Sequence, residues 1–294
     1  MKYLILYNPL AGEGRGKERS EKLKEYYNGD VLVFRDITQA CEDYASVIGS
    51  NPNIVLVICG GDGTLNRFIN DTRNMTIEND IYYFPIGSGN DFATDIGMKF
   101  MEKPKKINQY LKNLPRVVVN DNDYLFLNNV GFGIDGYCTR VADEMIEQGV
   151  MGINYSKIAV KGFLGDFKPR DARLWINGKE FDFKKVWTLP TMNGRFYGGG
   201  MMSAPYQNRL NPQHTVSVLV CHGWNRLRVL TIFPTIFKGR HLKYTSLFRL
   251  FEGSDVTVEF NTPCELQIDG ETIKDVKKYT VASAWAETVP KKQF

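Results

Sequence analysis

The 294-residue chain is poor in the residues that build metal and disulfide centres. Its five cysteines (Cys41, Cys59, Cys138, Cys221, Cys264) are scattered and form no CxxC pair, and the histidines are only His214, His222 and His241. That pattern argues against a Cys/His metal site and points to a reduced, cytoplasmic setting. Long apolar runs are also missing. The longest, Ile54–Cys59, is far short of the roughly 18 residues of a membrane-spanning helix. The N-terminus passes straight into a strand pattern, with no cleavage site after an apolar stretch, so no signal peptide is expected. Charge of one sign is scarce as well: 37 Lys+Arg against 33 Asp+Glu leave a net +4. As a total, that selects neither a nucleic-acid binder nor a membrane protein. Repeats and low-complexity stretches are absent.

What is present is the composition of a globular protein, 43% hydrophobic and 24% charged, in a length that suits about two domains. The first part alternates strand and helix. Strands are expected at Lys2–Tyr7, Val31–Phe34, Ile54–Cys59 and Ile81–Pro85, with helices at Lys17–Tyr27, Gln39–Ile48 and from Leu65 to Asn70. Such a βαβ rhythm implies an α/β domain with an open parallel sheet and ligands at the carboxyl ends of its strands. From about Leu125 short β-rich runs take over: Leu125–Val130, Ala172–Ile176, Lys185–Leu189, Thr215–Cys221, Val256–Phe260, Cys264–Ile268 and Tyr279–Ala282. Helices are expected near Thr139–Glu147 and Tyr155–Phe163. The expected division is 1–122 for the α/β domain and 123–282 for a mostly β domain, sandwich or barrel, with a tail at about 283–294 that returns to the first.

Two glycine-rich loops carry the chemistry. Gly60-Gly61-Asp62-Gly63-Thr64 follows a strand that is apolar on both faces and precedes a helix. Its glycines let backbone N–H groups approach phosphate oxygens, and the helix N-terminus favours negative charge. Asp62 repels phosphate, so its place there is explained by holding Mg²⁺ or by ordering the loop. Thr64 has a simpler reading as a helix cap. The second loop, Pro85-Ile86-Gly87-Ser88-Gly89-Asn90-Asp91-Phe92-Ala93, also joins strand to helix.

With Asn8-Pro9-Leu10-Ala11-Gly12, the Gly198-Gly199-Gly200-Met201 and Ala204-Pro205 block, and Asp269-Gly270-Glu271, these loops closely resemble the diacylglycerol kinase catalytic domain family. These are bacterial-type soluble lipid kinases related to NAD kinases. The resemblance runs over essentially the whole chain. It implies an α/β nucleotide domain packed on a C-terminal β-sandwich, with the active site in the cleft between them. It also implies ATP with Mg²⁺, the metal held through Asp62. Nucleotide contacts are implied at Asn8, Thr38, Gly60, Gly61, Asp62, Gly63, Thr64, Leu65, Asn66, Arg67, Gly87, Ser88, Asn90 and Asp91. Glu271 becomes the general base, with Asp269 and Asp62 as further catalytic carboxylates. On the residues alone, Asp269-Gly270 also reads as a hairpin turn. The implied activity is γ-phosphate transfer to a lipid hydroxyl, of diacylglycerol or a similar lipid. The alternatives are an NAD kinase-like enzyme or a catalytically weak nucleotide- or lipid-binding member.

One departure stands out. Where many members carry an acidic pair followed by Gly, associated with a second, structural Mg²⁺, this chain has Asn208-Arg209-Leu210-Asn211-Pro212-Gln213. The second metal site is therefore expected to be absent or remodelled. Gly131-Phe132-Gly133-Ile134-Asp135-Gly136 matches GxGxxG, but the acidic residue of a dinucleotide fingerprint is missing downstream. The resemblance places this segment at the domain junction, with Asn129 and Asp135 lining the cleft. Finally, Gly223–Phe251 has six basic and no acidic residues. Val229, Ile232, Phe233, Ile236 and Phe237 form a helical apolar stripe in it, expected to pack on the β domain. The one-sided charge suits transient peripheral contact with a lipid surface. No nucleic-acid partner is expected. Oligomeric state is open, a homodimer included.

Overall fold

The computed structural model describes residues 1–39, 41–150, 153, 155–223 and 225–283. Most of the 283–294 tail therefore lies outside the described residues. Among the described residues the chain forms two large sheets and one small two-stranded sheet. In the first, β1 (Lys2–Tyr7), β2 (Val31–Asp36), β3 (Val55–Gly60) and β4 (Ile81–Pro85) are parallel, and β5 (Lys105–Lys106) runs antiparallel at one edge. The order is β2-β1-β3-β4-β5. Strand β3 is central and buried at all six positions, which is why it reads apolar on both faces. Alternate residues feed two cores: Leu56 and Ile58 join Leu4, Leu6 and Phe68 on one side, and Val57 and Cys59 join Ile5 and Phe84 on the other.

The second sheet is antiparallel and takes in β6 (Arg116–Val119), β7 (Asn122–Leu125) and β8 (Asn129–Gly133). It continues with β9 (Arg170–Ile176), β10 (Lys179–Met192), β13 (Val216–His222), β14 (Phe248–Gly253), β15 (Asp255–Ile268) and β16 (Glu271–Ala282). The small β11 (Phe196–Tyr197) and β12 (Met201–Met202) pair separately. Strands β10 and β15 each pair with β9 over one half and with β8 over the other. Register shifts near Phe183 and Cys264 bend them between the two halves, the usual work of a bulge. The sheet so wraps around one apolar core containing Phe132, Leu174, Val218, Phe260 and Tyr279.

Three features bear on the expected elements. The second sheet begins with β6 at Arg116, because Val117 and Val118 pair with Val281 and Thr280; sheet membership thus changes before residue 122. The run Leu125–Val130 is not one strand: β7 ends at Leu125, a turn follows, and β8 starts at Asn129. The glycines of GxGxxG serve packing. A Cβ at Gly136 would lie 2.2 Å from the Glu265 carbonyl oxygen, and one at Gly133 would lie 2.5 Å from that of Trp187. Within the apolar stripe, Val229, Phe233 and Ile236 are buried in the β domain's side core, as core packing requires.

Candidate functional site

Strand β3 ends in Gly60, and the Asp62–Asp71 helix starts one residue later with Gly61 at its N-cap. The helix thus begins three residues before Leu65, and Thr64 stands in its first turn rather than at the cap. Its hydroxyl accepts a bond of 3.2 Å from Asn8 Nδ2, which joins the Asn8-Pro9 turn to the loop. The second glycine loop lies directly against the first: a Cβ on Gly87 would come within 2.4 Å of Gly61 Cα. Only glycine permits that approach. Asn90, left-handed at φ 52°, holds the loop shut by donating to the Gly87 carbonyl at 2.7 Å. Arg67 donates to the Thr38 carbonyl, while the Thr38 hydroxyl donates to Asp36. Ser88 is exposed and lines an open cavity of about 690 Å³ together with Arg15, Arg19, Lys99 and Phe100. Leu65 is fully buried in the sheet core, and the Asn66 amide donates to Asp269 at 2.7 Å.

Four carboxylates sit around this frame. Asp62 accepts from the backbone N–H groups of Asp91 and Phe92 at 2.9 and 2.8 Å, capping the Asp91–Asp95 helix, and from Asn128 Nδ2 at 3.0 Å. Asp91 reaches across the junction and accepts from the N–H groups of Gly199 and Gly200 at 2.8 and 2.7 Å. Gly198, Gly199 and Gly200 all have positive φ, which explains the triple glycine: residues with a Cβ visit this region singly, not three in a row. Burial, and next the charge of Asp62, push the Asp91 carboxyl up to about 7, against those two bonds and the positive charge of Arg209. A point at the Gly89 Cβ position lies 3.5 Å from Asp62 Oδ2 and 3.9 Å from Asp91 Oδ2. Two neighbouring carboxylates offer hard oxygen ligands, the kind a divalent cation such as Mg²⁺ takes. Among the described residues no three His, Cys, Asp or Glu side chains gather into a fuller metal cluster.

Asp269 and Glu271 divide the roles expected of them. Asp269 and Gly270, at φ 47° and 95°, form the two-residue loop of the β15–β16 hairpin, the turn chemistry Asp-Gly favours. The Asp269 side chain is buried and accepts from the backbone N–H groups of Leu127, Asn128 and Asn129 as well as from Asn66. Burial raises its pKa and the four bonds pull it back. With its oxygens so engaged, Asp269 clamps the turn between the two sheets. Glu271, just beyond, is exposed, and its Oε1 lies 3.9 Å from a Cβ position on Gly63. It is therefore the free carboxylate over the first glycine loop.

The reading of Leu125–Val130 as one strand concealed a hub. In the intervening turn, Asn193 Nδ2 donates to the Leu127 carbonyl, and the N–H groups of Asn193 and Gly194 donate to that of Asn128. The Asn128-Asn129 pair was the available signal, since Asn favours turns. Asp135 is a third carboxylate with a raised pKa. It is buried, accepts from the Thr188 and Tyr197 hydroxyls, and is pushed up to about 7 by burial.

Two family descriptions match the sequence: a diacylglycerol kinase catalytic domain over residues 2–119, and a YegS C-terminal NAD kinase beta sandwich-like domain over 128–291, more than half of the chain. A diacylglycerol kinase of Mycobacterium tuberculosis is 25% identical over 261 residues, covering 82% of this chain and 80% of its own. A diacylglycerol kinase of Bacillus subtilis is 21% identical over 275 residues, with 91% and 88% covered. The crystal structure of a diacylglycerol kinase from Bacillus anthracis superposes with a TM-score of 0.58 at 16% identity, over 96% of this chain and 94% of the other, a likeness in fold. Among the described residues no helix is long and apolar enough to cross a membrane.

Proposed function

The chain belongs to the diacylglycerol kinase catalytic-domain family, and from that premise we propose that it transfers the γ-phosphate of ATP to the hydroxyl of diacylglycerol or a similar lipid. The observation that carries this reading is Glu271, a free carboxylate over the Gly63 loop at the junction of the two sheets. An alcohol is a weak nucleophile at neutral pH, and a carboxylate in reach accepts its proton as the new bond forms. The lipid oxygen bonds to the γ-phosphorus, the bond from that phosphorus to the β–γ bridging oxygen breaks, ADP departs with that oxygen, and the proton passes to Glu271.

The two glycine loops present backbone N–H groups to the phosphates, and Arg15, Arg19 and Lys99, set against Glu13 alone, line the cavity beside Ser88. Mg²⁺ bound with the nucleotide would offset phosphate charge, with Asp62 and Asp91 as its protein ligands. Access to a lipid fits the outer face of the β domain. Leu164 and Leu227 are 62% and 72% exposed, on neighbouring segments joined by Arg226, which donates to the Gly162 and Phe163 carbonyls. An exposed leucine on the basic segment, with a second beside it, suits peripheral contact with an anionic bilayer. Incubation with γ-labelled ATP, a panel of lipids in vesicles, and NAD tests the proposal. Label in a phospholipid product supports it, and label only in NADP overturns it.

A further inference from the structure

The stretch that lacks the acidic pair contributes a cation to the domain junction. The Arg209 side chain is 4% exposed, as is that of Asp95, to which its Nε donates. Its Nη1 donates to the Leu127 carbonyl and its Nη2 to Asn128 Oδ1, and the guanidinium lies 4.9 Å from the Phe92 ring centroid. It therefore touches the Asp91–Asp95 helix, which carries Phe92 and Asp95, and the turn between the sheets. Gly194 provides the room. A Cβ there would fall 2.0 Å from Arg209 Nη2 and 2.8 Å from Asp95 Oδ2, so any larger residue displaces the ion pair.

The contact with Asn128 reaches the phosphate loop. An amide has one oxygen and one NH₂ group, and whichever end meets a fixed donor decides which way the other faces. Arg209 has only donors, so Asn128 must offer it oxygen and turn Nδ2 away, and Nδ2 donates to Asp62 Oδ1 at 3.0 Å. Asp62 in turn caps the Asp91–Asp95 helix. The positive charge of Arg209 also acts against the repulsion between Asp62 and Asp91.

We propose that Arg209 is a positioning residue for phosphoryl transfer: its guanidinium is a built-in cation of the domain junction, sharing Asp95 with Arg195, and through the Asn128 amide it holds Asp62 in the geometry the nucleotide loop needs. The inference rests on the kinase reading above. A misplacement of about 1 Å near reacting groups costs on the order of 10²-fold in rate. Arg209→Ala is accordingly expected to lower kcat by roughly 10- to 100-fold while KM for ATP changes by less than about 3-fold. Ethylguanidinium added to this variant, filling the vacated cradle, is expected to restore part of the lost kcat. Arg209→Lys keeps the charge without the planar fork, so it is expected to fall between the two and covers the case in which the alanine variant fails to fold.

The Asn128 side-chain amide signals in a ¹⁵N-labelled sample supply a readout that needs no turnover. They are expected to move in Arg209→Ala or Arg209→Lys and, for the alanine variant, to return with ethylguanidinium. A kcat loss no greater than the loss of folded protein, or Asn128 signals unchanged in a folded variant, overturns the proposal. If the native chain phosphorylates no lipid, the kinase reading fails by itself, and the Asn128 signals still decide whether Arg209 sets that amide.

Discussion

Replacing Asp269 by Asn removes one charge and keeps the shape, and the structure says where the loss falls. Four donors converge on the carboxylate, three of them backbone N–H groups from consecutive residues 127–129. An amide oxygen can serve about two of them, and its NH₂ group is forced against the others. Each buried donor left without an acceptor costs about 1–3 kcal/mol. Two such groups give roughly 2–6 kcal/mol, and relief from burying a charged group trims this toward about 3. For a chain of this size that corresponds to a drop in Tm of about 6–12 °C. Differential scanning calorimetry at neutral pH, supported by urea unfolding, measures it. Activity should fall as well, because the hairpin loop that loosens also carries Glu271. A variant that melts within about 2 °C of the native protein would show that the Asp269 clamp does not hold the turn, and would refute the division of roles between Asp269 and Glu271.

Glu271→Gln is the complementary change: at an exposed position, stability should stay within about 0.5 kcal/mol while kcat falls by roughly 10²- to 10⁴-fold, read by labelled-phosphate transfer. Asp135 has a definite pH signature. Its folded-state pKa of about 7 lies above the ordinary 3.8, so the native state keeps a proton that the unfolded chain releases, and stability falls as pH rises from about 4 to 7. At about 1.4 kcal/mol per pH unit this amounts to at most roughly 4 kcal/mol. Asp135→Asn should remove that share of the slope, so that urea midpoints of variant and native protein diverge in the variant's favour from pH 4 to pH 8; parallel profiles would contradict the burial account. On the outer face, Leu164→Asp with Leu227→Asp should weaken co-sedimentation with anionic vesicles by about tenfold or more, since each exposed leucine yields about 1 kcal/mol or more on burial. Equal binding by the variant would exclude this face as the lipid contact.

The sequence alone was enough for the features that repeat at short range. Burial of β3 on both faces, glycine loops between strand and helix, the turn chemistry of Asp-Gly and the change from βαβ rhythm to short β runs are each written within a few consecutive residues, because backbone conformation and face burial follow local residue type. That places Gly60–Arg67, Gly87–Asp91 and Asp269–Glu271 at element ends, and the motif order carried the family resemblance. What each carboxylate does was decided only by tertiary structure. Asp269 meets Asn66 across 203 positions, Asp91 meets Gly199 across 108, and Arg209 meets Asp95 across 114. A carboxylate is a metal ligand, a base or a clamp according to which donors and charges surround it, and those neighbours come from distant segments brought together by the packing of two sheets. Hence Glu271 stays free while Asp269, two residues away, is fully engaged, and a stretch read as lacking a metal site supplies the junction with a guanidinium instead.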